Sequence, residues 1–317
     1  MWVKPGLDST QMADTPPLPA PSKALVFVRR SGSTVFLWAL VTWIFVSRWS
    51  WAYLGLIGLL TLVATVEFFR LLRAANVKCF PRFGILLAVG YCGTIYAFFL
   101  RGWMPSPDLD VCAVGLALTG AFTLQLRQPI RGLESLQAVA ANLLGFVYVA
   151  LLFNFAAKLL FLVPDAGLPP GVVGGHGAYL LLWLLAVTKF TDMGAYVTGS
   201  LIGRHKMIPH VSPGKTWEGF GGALLFSQLA GCGMFAAFPN ELSMLHSWNH
   251  VLALGFLLAL LAVVGDLAES VLKRALDAKD SGRLLPGIGG ALDLIDSICF
   301  TAPALYFYLK WLLPPTA

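Results

Sequence analysis

About nine apolar runs of near membrane-spanning length dominate this chain, and no other feature limits its fold so tightly. They fall near residues 33–46, 51–71, 84–100, 111–126, 139–162, 178–202, 219–238, 251–272 and 291–313. About 20 apolar residues in a helix cross a hydrocarbon core, and a helix satisfies its own backbone polar groups there. The expected fold class is therefore all-α: a polytopic membrane protein of about nine transmembrane helices. Hydrophobic residues make up 57% of the 317 and charged residues 12%, too few to coat a soluble globule of this size.

The formal charge is +6, but the basic residues sit in short loops between apolar runs, where charge sets topology and meets anionic head groups. Nucleic acid is therefore excluded as a partner. Threading from a cytoplasmic N-terminus puts Lys23, Arg29, Arg30, Arg70, Arg73, Lys78, Arg82, Arg127, Arg131, Arg204, Lys206, Lys215, Lys273, Arg274, Lys279 and Arg283 on one side. The other side holds little beyond Arg48 and Arg101, with Lys158 and Lys310 near helix ends. This asymmetry predicts a cytoplasmic N-terminus, an outside C-terminus and cytoplasmic placement of both polar segments, 203–218 and 273–290.

Residues 1–30, rich in proline, read as a disordered cytoplasmic tail rather than a cleavable signal peptide. Residues 31–175 then form N-terminal transmembrane helices, and 176–317 a C-terminal transmembrane region carrying the chemistry. Cys79, Cys92, Cys112, Cys232 and Cys299 show no C-x-x-C spacing and read as small hydrophobes.

Charge gathers in residues 265–296, GDLAESVLKRALDAKDSGRLLPGIGGALDLID, between two long apolar runs. An ionised side chain at a helix centre costs about 2.5–3.5 kcal/mol on insertion scales, so such density at a membrane boundary points to a working site. On a helix Asp266, Glu269, Ser270 and Lys273 share one face. Asp277, Lys279 and Asp280 follow, then the glycine-rich LLPGIGG, then Asp293 and Asp296 opening the last span. Carboxylates converging from two helix ends beside a glycine segment are the parts that a Mg2+ and phosphate site requires. Lys273, Arg274, Lys279 and Arg283 are candidate phosphate donors. A solvated helix end with intrahelical ion pairs is the plainer alternative, and Asp293 and Asp296 inside an apolar helix fit it poorly.

A second polar segment, KFTDMGAYVTGSLIGRHKMIPHVSPGKTWEGFGG, places Lys189 and Asp192 inside the sixth span. It then supplies Arg204, Ser212, Lys215, Thr216 and Glu218. Gly214-Lys215-Thr216 fails as a nucleotide P-loop, because Pro209 stands where the leading glycine belongs. Lys189 with Asp192 also suits a buried ion pair, His205 and His210 read as loop histidines, and Glu67 suits either an interfacial pair with Arg70 or a role at the site.

These segments resemble the phosphatidate cytidylyltransferases (CDP-diacylglycerol synthases). The resemblance rests on Thr191-Asp192-Met193-Gly194-Ala195-Tyr196, Ser212-Pro213-Gly214-Lys215-Thr216-Trp217-Glu218-Gly219 and Gly265-Asp266-Leu267-x-Glu269-Ser270-x-Leu272-Lys273-Arg274. It continues through Lys279-Asp280-x-Gly282 and Leu285-Pro286-x-x-Gly289-Gly290-x-x-Asp293-x-Ile295-Asp296. It covers the C-terminal part of the chain, in order.

The resemblance implies a membrane enzyme, homodimeric, that condenses CTP with phosphatidate to CDP-diacylglycerol and pyrophosphate using Mg2+. Its setting would be a bacterial inner membrane, with the active site on the cytoplasmic face. By the same resemblance Asp266, Asp293 and Asp296 are expected metal ligands, and these with Lys273, Lys279 and Asp280 the catalytic set. Asp192, Ser212, Lys215, Thr216, Glu218, Glu269, Ser270, Arg274, Gly289 and Gly290 are expected around the substrates.

Three positions depart from the family pattern: Ile288 replaces a histidine, Leu294 an arginine and Ala291 a larger apolar residue. They leave two alternatives open, the same chemistry on another lipid phosphate and a non-catalytic membrane paralogue that binds lipid or a partner. A transporter is disfavoured by the one-sided charge and by the absence of an internal repeat.

Overall fold

The computed structural model describes residues 39–163, 168, 171–278, 282 and 289–313. The expected tail, Lys279, Asp280, Arg283 and the run 283–288 with Ile288 lie outside the described residues. Among those described, eight helices are long and apolar enough to cross a membrane. They correspond to the second through ninth expected runs. The first run is described only in part, and residues 39–47 are helical.

Helices α1 (Ser50–Ala74), α2 (Pro81–Leu100) and α3 (Pro107–Gln125) pack beside a long segment, Leu133–Leu160. That segment comprises α4 (Leu133–Gly145), a π-helical turn (Phe146–Leu151) and α5 (Phe155–Leu160). Starts follow local chemistry: prolines Pro81 and Pro107 stand in the first turns, where no backbone donor is lost, and the Ser106 hydroxyl accepts from Asp108 N at 3.3 Å.

Several buried polar groups within this half find partners, as the low dielectric favours. Asn154 Nδ2 donates to Thr61 Oγ1 (3.2 Å) and to the Ala150 carbonyl (2.7 Å), and Tyr96 donates to Asn154 Oδ1 (2.6 Å). Lys158 pairs with Asp110, which also accepts from the Tyr91 hydroxyl at 2.8 Å. Lys158, in the last turn of α5, is therefore also a buried ion-pair partner.

The C-terminal half comprises α6 (Gly175–Ile202), a two-stranded antiparallel hairpin of β1 (Lys206–Ile208) and β2 (Ser212–Thr216), α7 (Trp217–Ala237), α8 (Trp248–Ala275) and α9 (Ala291–Leu312). The hairpin was not expected from the sequence, which read 203–218 as a loop. Small residues let the helices approach closely. A Cβ at Gly194 would lie 2.5 Å from the Gly222 carbonyl oxygen, so α6 and α7 touch backbone to backbone. A Cβ at Gly265 would lie 2.8 Å from Ser297 Cα, which brings α8 against α9 beside Asp266 and Asp296.

Candidate active site

Three carboxylates meet where α8 crosses α9. One oxygen each from Asp266, Glu269 and Asp296 lies within 4.8 Å of the others. Asp266 and Glu269 share a face of α8 by helical spacing, and Gly265 removes the side chain that would hold α9 away. Glu269 is 2% exposed and Asp296 5%. Like charges buried this closely repel, so the arrangement calls for a cation, and all-oxygen donors suit a hard divalent ion such as Mg2+. Glu269 Oε1 is buried and accepts no hydrogen bond among the described residues, which fits a ligand atom.

Asp293, expected beside them as a ligand, lies close but makes other contacts. Its Oδ2 accepts from Gly290 N at 2.8 Å, capping the start of α9, and its Oδ1 is 2.7 Å from Lys273 Nζ. Lys273 also reaches Glu269 Oε2 at 2.8 Å, so one ammonium joins α8 to the first turn of α9. Asp296 Oδ1 accepts from Ser297 N (2.5 Å) and the Ser297 hydroxyl (3.2 Å). Ser297 and the buried Glu269 are thus part of the carboxylate wall. The signal for Ser297 was its position directly after Asp296.

The hairpin delivers the second wall. Lys215 Nζ lies 2.5 Å from Asp266 Oδ2 and 3.3 Å from the Val263 carbonyl. A cleft of about 470 Å³ opens between the hairpin, α6, α8 and α9. Asp192, Ser212, Lys215, Thr216, Asp266, Asp293 and Asp296, all expected from the sequence, line it. Tyr196, Ser200 and Ser297 line it as well, without having been singled out. Lys189 pairs with Asp192 at 3.5 Å and donates to the Leu294 carbonyl at 3.2 Å; the pair is partly exposed rather than buried.

Other expected residues lie apart from the cleft wall. Glu218 accepts from Arg204 N (3.1 Å) and His205 N (3.2 Å) and pairs with His205 Nδ1 (2.6 Å), bracing the hairpin base. Arg274 Nε donates to the Val211 carbonyl at 3.4 Å. Ser270 is half-buried beside Glu269 on α8. Gly289, at φ +117°, turns the chain into Gly290 and α9. Glu67 does not simply pair with Arg70, since its carboxylate, 4% exposed, accepts from Leu292 N at 3.0 Å.

Carboxylates of α8 and α9 and a lysine of the hairpin thus meet in one place. The profile of the Cytidylyltransferase family matches residues 28–312. YnbB, an uncharacterized protein of Escherichia coli strain K12, is 33% identical over 251 residues, 75% of this chain and 80% of the relative. A phosphatidate cytidylyltransferase of Bacillus subtilis strain 168 is 29% identical over 78% of this chain and 86% of its own length. One from Helicobacter pylori is 41% identical over 158 residues, 49% of this chain and 57% of the relative. The chain is a nucleotidyltransferase with membrane-spanning helices that belongs to the cytidylyltransferase family.

Proposed function

We propose that the protein condenses CTP with phosphatidate, in the presence of Mg2+, to give CDP-diacylglycerol and pyrophosphate. The observation that carries this reading is the convergence of Asp266, Glu269 and Asp296 within 4.8 Å, with Asp266 and Asp296 lining a cleft that also presents Lys215. A phosphate oxygen of the lipid forms a bond to the α-phosphorus of CTP. The bond from that phosphorus to the oxygen bridging the β-phosphate breaks, and pyrophosphate leaves with the electron pair. Both reactants are anions, so the barrier is largely electrostatic and positional.

Asp266, Glu269 and Asp296 would hold the Mg2+, with Asp293 beside them. When bound, the ion supplies positive charge that offsets the repulsion between the two phosphates. The protein groups do the rest. Lys215, poised on the hairpin, turns from Asp266 to a phosphate oxygen as the nucleotide enters. Lys273 holds Glu269 and Asp293 in register and so fixes the entry of α9. Ser297 orients the Asp296 carboxylate. Ser212 and Thr216 on the hairpin line the cleft and would donate to the nucleotide. Basic residues gathered at this end of the bundle support a cytoplasmic active site in a bacterial inner membrane, and family likeness supports a homodimer.

A second reading keeps the chemistry and changes the lipid, and it rests on Leu294 and Ile288 where the family pattern carries arginine and histidine. The test is product formation by purified protein from labelled CTP, Mg2+ and a panel of lipid phosphates. A CDP-lipid from phosphatidate supports the first reading, and a product from another lipid phosphate alone supports the second. No product from any acceptor, with the fold intact, overturns both.

A further inference from the structure

Tyr148 lies in the π-helical turn Phe146–Leu151, in the middle of a span that is otherwise α-helical apart from a turn at Asn154. Such turns re-aim side chains and gather at functional sites. The Tyr148 ring packs edge-on against Phe300, with centroids 6.0 Å apart, and Phe300 stands one turn beyond Asp296 on α9. The residue is 7% exposed, yet its hydroxyl has no hydrogen-bond partner among the described residues. It lies within electrostatic reach of Cys299 and of Asp296, Glu269 and Asp266, the three carboxylates of the cluster. A buried hydroxyl that bonds to nothing is destabilising, a cost that phenylalanine would avoid. Glu269 Oε1 is likewise buried without a donor.

On the reading of this cleft as a divalent-cation site, we propose that Tyr148 is a positioning residue of that site. Its O–H donates to an oxygen ligand of the cation held by Asp266, Glu269 and Asp296. The phenol is neutral, so it orients the ligand without opposing the metal charge. The oxygen comes either from water or from a substrate phosphate, and binding with and without nucleotide tells these apart.

The experiment titrates Mn2+ into full-length protein in detergent by electron paramagnetic resonance, with and without CTP, for wild type, Tyr148→Phe and Tyr53→Phe. Tyr53 has the same kind of buried, unpartnered hydroxyl, but it stands fourteen positions before Glu67 on α1, about 20 Å along the helix. Tyr148→Phe should raise the Mn2+ concentration for half-saturation about tenfold, the usual scale for losing a group behind a metal ligand. Tyr53→Phe should leave it unchanged. A shift without CTP identifies water, and one seen only with CTP identifies a phosphate oxygen. The Mg2+ requirement for product formation should move in parallel while kcat at saturating Mg2+ stays within about twofold.

Unchanged Mn2+ binding by folded Tyr148→Phe, with and without CTP, overturns the proposal, as does an equal shift in Tyr53→Phe. Wild type that binds no Mn2+ overturns both the proposal and the cation site. Wild type that binds Mn2+ but makes no CDP-lipid overturns only the catalytic reading, and the Tyr148 comparison still decides this one.

Discussion

The backbone amide of Leu292 donates to Glu67 Oε2 at 3.0 Å, joining α1 to the first turn of α9 across most of the chain. A carboxylate at a helix start satisfies otherwise orphaned donors and complements the helix dipole. Here that turn also carries Asp293, with Asp296 following, so the N-terminal half sets where the carboxylates of α9 stand. Glu67→Ala should lower stability by about 1–3 kcal/mol and reduce product formation, since it strands a buried amide. Glu67→Gln keeps an acceptor and should recover most of the stability. Thermal unfolding in detergent, paired with the CTP assay, checks both.

Glu269→Gln and Asp296→Asn should each reduce product formation by about a hundredfold or more while leaving the protein folded, because each removes a charged oxygen donor from the same group. Asp293→Asn should behave differently. Its contacts include Gly290 N and Lys273, and the amide still caps α9, so a smaller loss is expected. Initial rates across a Mg2+ titration separate the two patterns, and equal losses at all three positions would place Asp293 among the ligands.

Lys215→Ala should raise the KM for CTP by about tenfold or more, the scale of one charge-assisted hydrogen bond to phosphate. Lys215→Arg keeps the charge, but its planar fork replaces the point contact to Asp266 and the Val263 carbonyl, so only partial recovery is expected. Steady-state kinetics with varied CTP give the answer.

Gly265→Ala should separate α8 from α9, since the added methyl would meet Ser297 Cα at 2.8 Å and the Asp296 carbonyl oxygen at 2.9 Å. Overpacking of this kind costs about 1–3 kcal/mol. Activity should fall more than stability, because the atoms displaced belong to the carboxylate wall. Metal binding and unfolding measured on one preparation test this.

At the far end of the bundle, Lys158→Met should destabilise the protein by about 3–5 kcal/mol, because Asp110 is left without its buried counter-charge. Lys158→Met with Asp110→Asn should recover much of that loss. Specific activity of the folded fraction should hold in both, since Lys158 packs on Phe155 in a region anchored by Tyr306, ten residues beyond Asp296 on α9.

Much of this protein was legible in its residue order. Apolar runs of spanning length dictate helices in a bilayer, because a chain there has few other ways to pair its backbone. Charge that persists between such runs costs too much to be incidental, which is why Asp192, Lys215, Asp266, Asp293 and Asp296 stand out in the sequence alone. Tertiary structure decided which of those groups face one another. The backbone contact of Gly265 with Ser297 brings Glu269 in with Asp266 and Asp296 and leaves Asp293 to cap its own helix. Glu67 could be named from the sequence but not resolved between pairing with Arg70 and a role at the site, whereas Tyr148 as a buried, unpaired hydroxyl carried no sequence signal, for it lay within the apolar stretch FVYVALLF. Periodicity and hydropathy act within a segment, whereas the partner of a buried polar atom depends on how separate helices cross.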